Sequence, residues 1–181
     1  MIQSDKIDSL IMDIKKTANS LINFTIKRLA EIFGIIIFAS GILLLAALLT
    51  YSPNDPNFIF PDNTEIKNIL GFYGSFISDL FFQSIGLISY MLSLTLIITG
   101  INIFRLKEFF LVIENIFFAI IYSIFGTLFL AHFHSNAFNL YINGNGGFIG
   151  NYFDQTFLKS LILINEQIFY YVLIVVSFIL F

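Results

Sequence analysis

Two histidines, His132 and His134, are the residues whose type is best suited to binding a metal ion. Residues two positions apart lie on different faces of a helix. No acidic residue stands beside the pair, and the chain contains no cysteine. Because a zinc site needs three or four ligands, we interpret the pair as structural or interfacial histidines and predict no metal-binding residue.

Three acidic residues, Asp79, Glu114 and Glu166, stand at or near the ends of long apolar stretches. An acid inside a membrane marks a proton or ion pathway by default, whereas an acid near an interface can cap a helix or reach the headgroups. Their positions favour the second role, and the first stays open.

Catalytic and phosphate-binding patterns are missing from the sequence. There is no Walker A lysine, no Ser/His/Asp set and no pair of catalytic carboxylates. The run from Gly144 to Gly150 departs from G-x-G-x-x-G because Ile149 occupies the last position and no strand pattern precedes it. We therefore predict no catalytic residue, no cofactor-binding residue and no enzyme activity for this segment.

The composition is that of a membrane protein. Of the 181 residues, 57% are hydrophobic and 12% are charged, and ordinary soluble domains carry about 25% charged residues. A net charge of −3 leaves no basic footprint for nucleic acid. The sequence thus predicts an all-α integral membrane protein, with the lipid bilayer as its first partner.

The charges divide the chain into four apolar spans, which we place at about 32–50, 79–104, 109–131 and 161–181. The first three are long enough for a hydrocarbon core of about 30 Å. After Glu166 too few residues remain for a full crossing, so we expect the chain to be a fragment of a longer protein. Residues 31–181 form the predicted membrane domain, with loops at 51–78 and 132–160.

Orientation follows from the basic residues, because cytoplasmic loops carry more Lys and Arg. Seven lie on one predicted side and two, Lys67 and Lys159, on the other; the seven are Lys6, Lys15, Lys16, Lys27, Arg28, Arg105 and Lys107. Both the N-terminus and the chain beyond the fourth span are therefore expected in the cytoplasm, with both loops outside.

Residues 1–30 form a predicted cytoplasmic segment that contains an amphipathic helix over 5–30. Its apolar residues recur at spacings of three and four, typical of one helical face; they are Ile7, Leu10, Ile11, Ile14, Ala18, Leu21 and Ile22. Such a helix can lie on the inner membrane face or dock on a partner. A loosely packed extension is the alternative.

Small residues mark one face of the first two spans, including Gly34, Gly41, Gly86 and Gly100. Small side chains let membrane helices approach closely. We interpret them as packing within the bundle, and a dedicated oligomer face stays open.

The predicted loops begin and end in turn residues. Tyr51, Pro53, Asp55 and Pro56 follow the first span, where proline cannot continue a helix. This turn is either a stiff helix terminator or a docking epitope for outer proteins. A glycine turn over 144–150 is predicted to lead into a short amphipathic helix at 148–158.

Four motifs occur in one order along the chain. They read Leu49-Thr-Tyr-Ser-Pro-Asn-Asp-Pro-Asn-Phe58, then Asn68-x-x-Gly71-x-x-Gly74-x-x-x-x-Asp79-Leu-Phe-Phe82, then Gly86-Leu-x-Ser-Tyr90, and Gly146-Gly-Phe-Ile-Gly150. In this order the chain resembles the N-terminal four-helix membrane domain of the FtsK/SpoIIIE DNA translocases, over roughly residues 25–181. The candidate structural motif residues are Tyr51, Pro53, Asp55, Pro56, Gly71, Gly74, Asp79, Gly146, Gly147 and Gly150.

The resemblance implies an anchor in the bacterial inner membrane at the division septum. It further implies a homo-oligomer, a hexamer in that family, and contacts with division-site membrane proteins. ATP, Mg²⁺ and double-stranded DNA would be bound by a C-terminal motor that this segment lacks. A small four-span transporter or channel subunit is the alternative, although its spans would carry paired polar residues at mid-bilayer.

Overall fold

The computed structural model describes residues 2–56, 65–134, 143–156 and 166–181, with side chains from Met12 onward and without that of Glu166. These ranges contain six helices and no strand. The helices are α1 (Ile2–Leu49), α2 (Gly71–Ile85), α3 (Ile88–Leu106), α4 (Phe110–Phe133), α5 (Gly147–Thr156) and α6 (Glu166–Leu180). The chain is an all-α membrane domain, and Phe58 of the first motif lies outside the described residues.

Helix α1 joins the predicted amphipathic segment to the first span without a break. It has 48 residues, which is about 72 Å of helix at 1.5 Å per residue. Every described residue from Met12 to Leu29 is exposed, and Ala30 is the first buried one. The helix prediction for 5–30 is confirmed, but the segment belongs to a longer helix, whose exposed residues 12–29 are hereafter the free half of α1.

Helices α2 and α3 divide the predicted second span, 79–104, at Gly86. This glycine has φ 59° and ψ −140°, a conformation that costs a residue with a side chain far more than glycine. The next amide, Leu87 N, donates to the Asn145 carbonyl at 2.9 Å. The structure differs here from the sequence prediction: Asp79 belongs to α2, and the long apolar helix begins at Ile88.

Three helices are long and apolar enough to cross a membrane among the described residues: Met12–Leu49 within α1, Ile88–Leu106 and Phe110–Phe133. Helix α4 thus matches the predicted span 109–131 closely. Helix α6 has 15 described residues, and residues 161–165 of the predicted fourth span lie outside the described ranges. The fourth crossing stays a prediction.

Helices α1 and α3 pack backbone to backbone through glycines. A Cβ atom on Gly34 would lie 2.7 Å from Phe104 N, and one on Gly41 would lie 2.8 Å from Ile97 N. A Cβ on Gly100 would overlap the backbone of Phe38. Bundle packing is thus confirmed for these glycines, because any larger residue would push the two helices apart.

Helix α4 joins the bundle through polar and aromatic contacts. Asn115 Nδ2 donates to Thr99 Oγ1 at 2.8 Å, and the hydroxyls of Thr95 and Tyr122 are 2.8 Å apart. On α6, the Tyr170 ring lies 5.1 Å from that of Phe129. These pairs satisfy polar groups that would otherwise be costly inside a membrane.

An ion cluster marks the end of the bundle where α1 enters it, hereafter the proximal end. Glu31 contacts Lys107 Nζ at 2.7 Å and Arg28 Nη1 at 2.6 Å. The hydrogen bond from Lys107, followed by that from Arg28, holds the pKa of the Glu31 carboxyl below 4.5. Since Lys107 lies between α3 and α4, this cluster connects three helices just outside the charge-free part of α1.

Candidate functional site

Asp55 organises the opposite end of the bundle, where α1 finishes, hereafter the distal end. Its carboxylate is buried and accepts hydrogen bonds from Lys67 N at 3.0 Å and Asn68 N at 2.8 Å. These amides are 12 and 13 residues further along the chain. Asp55 therefore joins the two ends of the first loop, a longer-range contact than a turn residue normally makes.

Asn68 extends this connection back to α1. Its side-chain amide donates to the Ala47 carbonyl at 2.8 Å, and its Oδ1 accepts from Leu70 N at 3.1 Å. The Ala47 carbonyl lies in the last turn of α1, where carbonyls lack partners within the helix. The candidate set taken from the sequence omitted Asn68, although the Asn68-x-x-Gly71 motif contained it.

Tyr51 and Asp79 connect the end of α1 to the middle of α2. The Tyr51 hydroxyl donates to Asp79 Oδ1 at 3.0 Å. The Tyr51 ring lies 4.8 Å from the ring of Phe82, which is 5.5 Å from that of Tyr90. Tyr90 in turn donates to the Leu48 carbonyl at 3.2 Å. Aromatic rings and hydroxyls together fix α2 and α3 against the end of α1.

The two prolines behave differently in the turn after α1. Pro53 is exposed, whereas Pro56 is buried and its carbonyl accepts a hydrogen bond from Ser75 Oγ at 2.9 Å. Ser75 was not among the sequence candidates. Its hydroxyl supplies a donor for a carbonyl that the turn leaves without a helical partner.

Gly71 and Gly74 serve different purposes at the start of α2. Gly71 is the first helical residue and has φ 66°, and a Cβ there would meet nothing within 4 Å. Gly74 faces Asn68, and a Cβ at Gly74 would overlap the Asn68 side chain. Gly74 is thus small so that Asn68 can reach Ala47.

The second loop returns through glycines that touch α2 and α4. A Cβ on Gly146 would lie 2.5 Å from the Thr127 carbonyl, and one on Gly147 would lie 2.6 Å from Gly86 N. A Cβ on Gly150 would also overlap Thr127. The Gly146-Gly147-Phe-Ile-Gly150 motif is therefore a packing motif.

Asparagines complete the second loop, and the sequence candidates did not include them. Asn145 is fully buried and its amide donates to the His134 carbonyl. Asn143 Nδ2 donates to the Gln83 carbonyl at 3.2 Å. Asn151 Nδ2 donates to the Asn143 carbonyl at 2.6 Å. The only available signal was the Gly-Asn-Gly-Gly composition, which is typical of a turn.

His132 pairs with an acid on the neighbouring helix. Its Nδ1 lies 2.7 Å from Asp154 Oδ1, which connects α4 to α5. Within the part of the chain that the structure describes, no group of three His, Cys, Asp or Glu residues could hold a metal ion. The predicted α5 is also present, as Gly147–Thr156, with residues 157–158 outside the described ranges.

Helix α2 packs against the end of α1 and the turn that follows it. Four residues in α2 or just before it contact the end of α1 or the turn that follows it, between Ala47 and Pro56. They are Asn68, Ser75, Asp79 and Phe82. The site is a hydrogen-bonded cover that fixes two loops.

The described residues of the motifs quoted from the sequence therefore meet at the distal end. Residues 26–181 match the family model described as the 4TM region of DNA translocase FtsK/SpoIIIE. The chain belongs to the FtsK/SpoIIIE family. The match covers all of the distal-end contacts and begins within α1. The FtsK/SpoIIIE match begins at residue 26, so it does not include residues 12–25.

Individual proteins similar to this chain are named DNA translocase FtsK. The chain is similar to the DNA translocase FtsK of Rhizobium meliloti, with 31% identity over 78 residues, and to that of Caulobacter vibrioides, with 35% over 73 residues. These alignments cover 43% and 40% of the chain. The FtsK of Azospirillum brasilense is 27% identical over 112 residues, which are 61% of the chain.

The aligned part is a small fraction of each FtsK relative. It covers 9% of the Rhizobium meliloti and Caulobacter vibrioides proteins and 17% of the Azospirillum brasilense protein. No solved structure matches the chain.

Proposed function

We propose that this chain anchors an FtsK-like DNA translocase in the bacterial inner membrane and tethers an ATP-driven double-stranded DNA pump to the division septum. The family match over residues 26–181 carries the proposal. The relatives are named DNA translocases and are several times longer than the aligned region. The motor, with its ATP, Mg²⁺ and DNA, is assigned to sequence outside this chain.

The anchor acts by holding fixed geometry, since its described polar groups are used in packing. Between α3 and α4, Asn115 bonds to Thr99 and Thr95 bonds to Tyr122. Polar groups engaged with each other inside a span favour a static bundle over a transport path, where they would face substrate. These contacts support the anchor over the four-span transporter or channel subunit.

The proposed topology places both the N-terminus and the region after α6 in the cytoplasm. The distal end, with Asp55, Asn68 and the second loop, then faces the outside, where it meets division-site membrane proteins. The proximal end carries Arg28 and Lys107 and faces the cytoplasm, in agreement with the positive-inside rule. We further propose that copies assemble as a homo-oligomer, a hexamer by analogy with the family.

Localisation and the downstream coding sequence test this function. A fluorescent fusion of the chain should concentrate at septa when it is expressed in a dividing bacterium whose own translocase lacks the corresponding membrane region. The coding sequence after residue 181 should contain a linker and then G-x-x-x-x-G-K-[ST]. An evenly distributed membrane signal contradicts the septal role, and a downstream stop codon without a motor contradicts the tether.

A further inference from the structure

The free half of α1, residues 12–29, has no packing partner among the described residues. Every residue in this range is exposed, whereas the adjoining Ala30 is fully buried. An isolated helix of this length has marginal stability in water, because most helical stability in proteins comes from packing of an apolar face. Some other surface must therefore cover the apolar face of this segment.

The apolar face is continuous along the segment. Ile14, Leu21 and Leu29 lie within a narrow arc of the helix, given 100° per residue, and remain 67%, 63% and 54% exposed. Ala18 and Thr25 fill the arc between them. Ile7 and Ile11 extend it toward the N-terminus by sequence pattern.

The charges of the segment are predominantly positive. Four basic residues, Lys15, Lys16, Lys27 and Arg28, stand against one acid, Asp13. Lys15 and Arg28 flank the apolar arc on its two sides, and Lys16 and Lys27 lie opposite it. An apolar face with basic edges fits an anionic bilayer surface, where the alkyl chains are buried and the ammonium groups reach the headgroups.

We propose that the free half of α1 lies on the bilayer surface on its own side of the membrane and binds anionic phospholipid headgroups. Ala30 is the first buried residue and Glu31 pairs with Lys107 at the entry to the bundle, so the segment starts at the level of that surface. A second copy is a poorer occupant, because each copy brings a net charge of the same sign to the contact.

This placement on the surface requires α1 to bend between the free half and the span, and Thr25 offers a place for that bend. The Thr25 hydroxyl donates to the Leu21 carbonyl at 3.0 Å. This back-bond within a turn weakens the helical hydrogen bond to the same carbonyl and often bends helices. A bend at this point would separate Ile14 and Leu21 from the buried Ala30.

The absence of cysteine in the chain allows a direct test with single-cysteine variants. Leu21→Cys and Asn23→Cys, each carrying an environment-sensitive fluorophore, are reconstituted at one copy per nanodisc. The discs contain phosphatidylcholine alone or an equal mixture with phosphatidylglycerol. In the mixture, Leu21→Cys should shift its emission to shorter wavelength and lose quenching by aqueous iodide, whereas Asn23→Cys on the opposite face should stay quenched.

The triple variant Lys15→Gln/Lys16→Gln/Lys27→Gln supplies the electrostatic control, and it leaves the Arg28–Glu31 pair in place. It should remove most of the Leu21→Cys shift, as should high salt. Equal quenching at Leu21→Cys and Asn23→Cys in both lipids overturns the proposal. A Leu21→Cys shift that appears only with several copies per disc also overturns it. A shift that is as large in phosphatidylcholine alone and in the triple variant as in the original chain with the lipid mixture overturns it too.

Discussion

The Tyr51 hydroxyl donates a hydrogen bond to Asp79 Oδ1 at 3.0 Å, across 28 residues of sequence. Tyr51 is the second residue after α1, and Asp79 lies in the middle of α2. Because the same tyrosine ring packs on Phe82, the two contacts fix one turn of α2 to the end of α1. The position of α2 against the end of α1 therefore depends on both a hydrogen bond and a ring contact of Tyr51.

Replacing Tyr51 by phenylalanine tests the polar half of this contact. The ring on Phe82 is kept and the hydroxyl is lost, so the free energy of unfolding should fall by about 1–2 kcal/mol, as for one partly buried hydrogen bond. Thermal unfolding in detergent measures the change. Tyr73→Phe is the matched control because Tyr73 is 76% exposed, and equal effects of the two variants would contradict a specific role for Tyr51.

Asp55→Ala should lower the abundance of the protein and leave the localisation of the remainder normal. The change leaves the amides of Lys67 and Asn68 without their buried acceptor, a loss of about 2–3 kcal/mol for bonds to a charged group. Quantitative blotting together with microscopy of a tagged chain distinguishes the two interpretations of the turn. Glu65→Ala removes an exposed acid from the same loop and should have little effect.

Normal abundance of Asp55→Ala combined with lost septal localisation would instead identify a docking epitope. The buried position of Asp55 favours the terminator, because a partner on the outside cannot contact a carboxylate that is 2% exposed.

Gly100→Ala should separate α1 from α3. The new Cβ would lie 2.7 Å from the Gly34 carbonyl and overlap the Phe38 backbone, and backbone atoms cannot move aside as a side chain can. Overpacking of this kind costs about 1–3 kcal/mol. Thermal unfolding should show the loss, while Ile98→Ala, at a 50% exposed position of the same helix, should cost less.

Glu31→Gln should reduce thermal stability in a pH-dependent way. The pKa of the folded Glu31 carboxyl is lowered by Lys107 and Arg28, so its contribution is complete above about pH 4.5 and is lost as the pH falls through the lowered value. The difference between the original chain and the variant should be largest near neutral pH and shrink on acidification. Glu108→Gln serves as the control, and a difference that grows at low pH would contradict the assignment.

Single cysteines at Glu65 and Glu108 test the topology. Both positions are exposed, and the proposed orientation places Glu65 outside and Glu108 in the cytoplasm. A membrane-impermeant thiol reagent added to intact cells should label Glu65→Cys, and Glu108→Cys only after the cells are opened. Labelling of Glu108→Cys but not Glu65→Cys in intact cells would indicate the opposite orientation. Labelling of both variants would contradict the number of membrane crossings between the two positions.

Local chemistry made the turns and most of the helices predictable. Proline ends α1 because it cannot continue a helix, and the glycine-rich run ends in a turn before α5, as expected from residues adjacent in sequence. The second predicted span failed as a single helix, because Gly86 breaks it. Its position inside an otherwise apolar run gave no reason to prefer a break over a tolerated helical glycine.

The sequence by itself determined the class of the protein, since hydropathy and charge spacing follow from composition and from the thickness of a bilayer. It also singled out Tyr51 and Asp55, because turn chemistry is local, and Asp79 through its motif, but it missed Asn68, Ser75 and the asparagines of the second loop. Only the tertiary structure decided what those residues contact. The partners of Asp55 lie 12 and 13 residues away and that of Tyr51 lies 28 away. Such pairings depend on how α2 and the first loop pack against the end of α1, and helical periodicity carries no information about which distant residues meet.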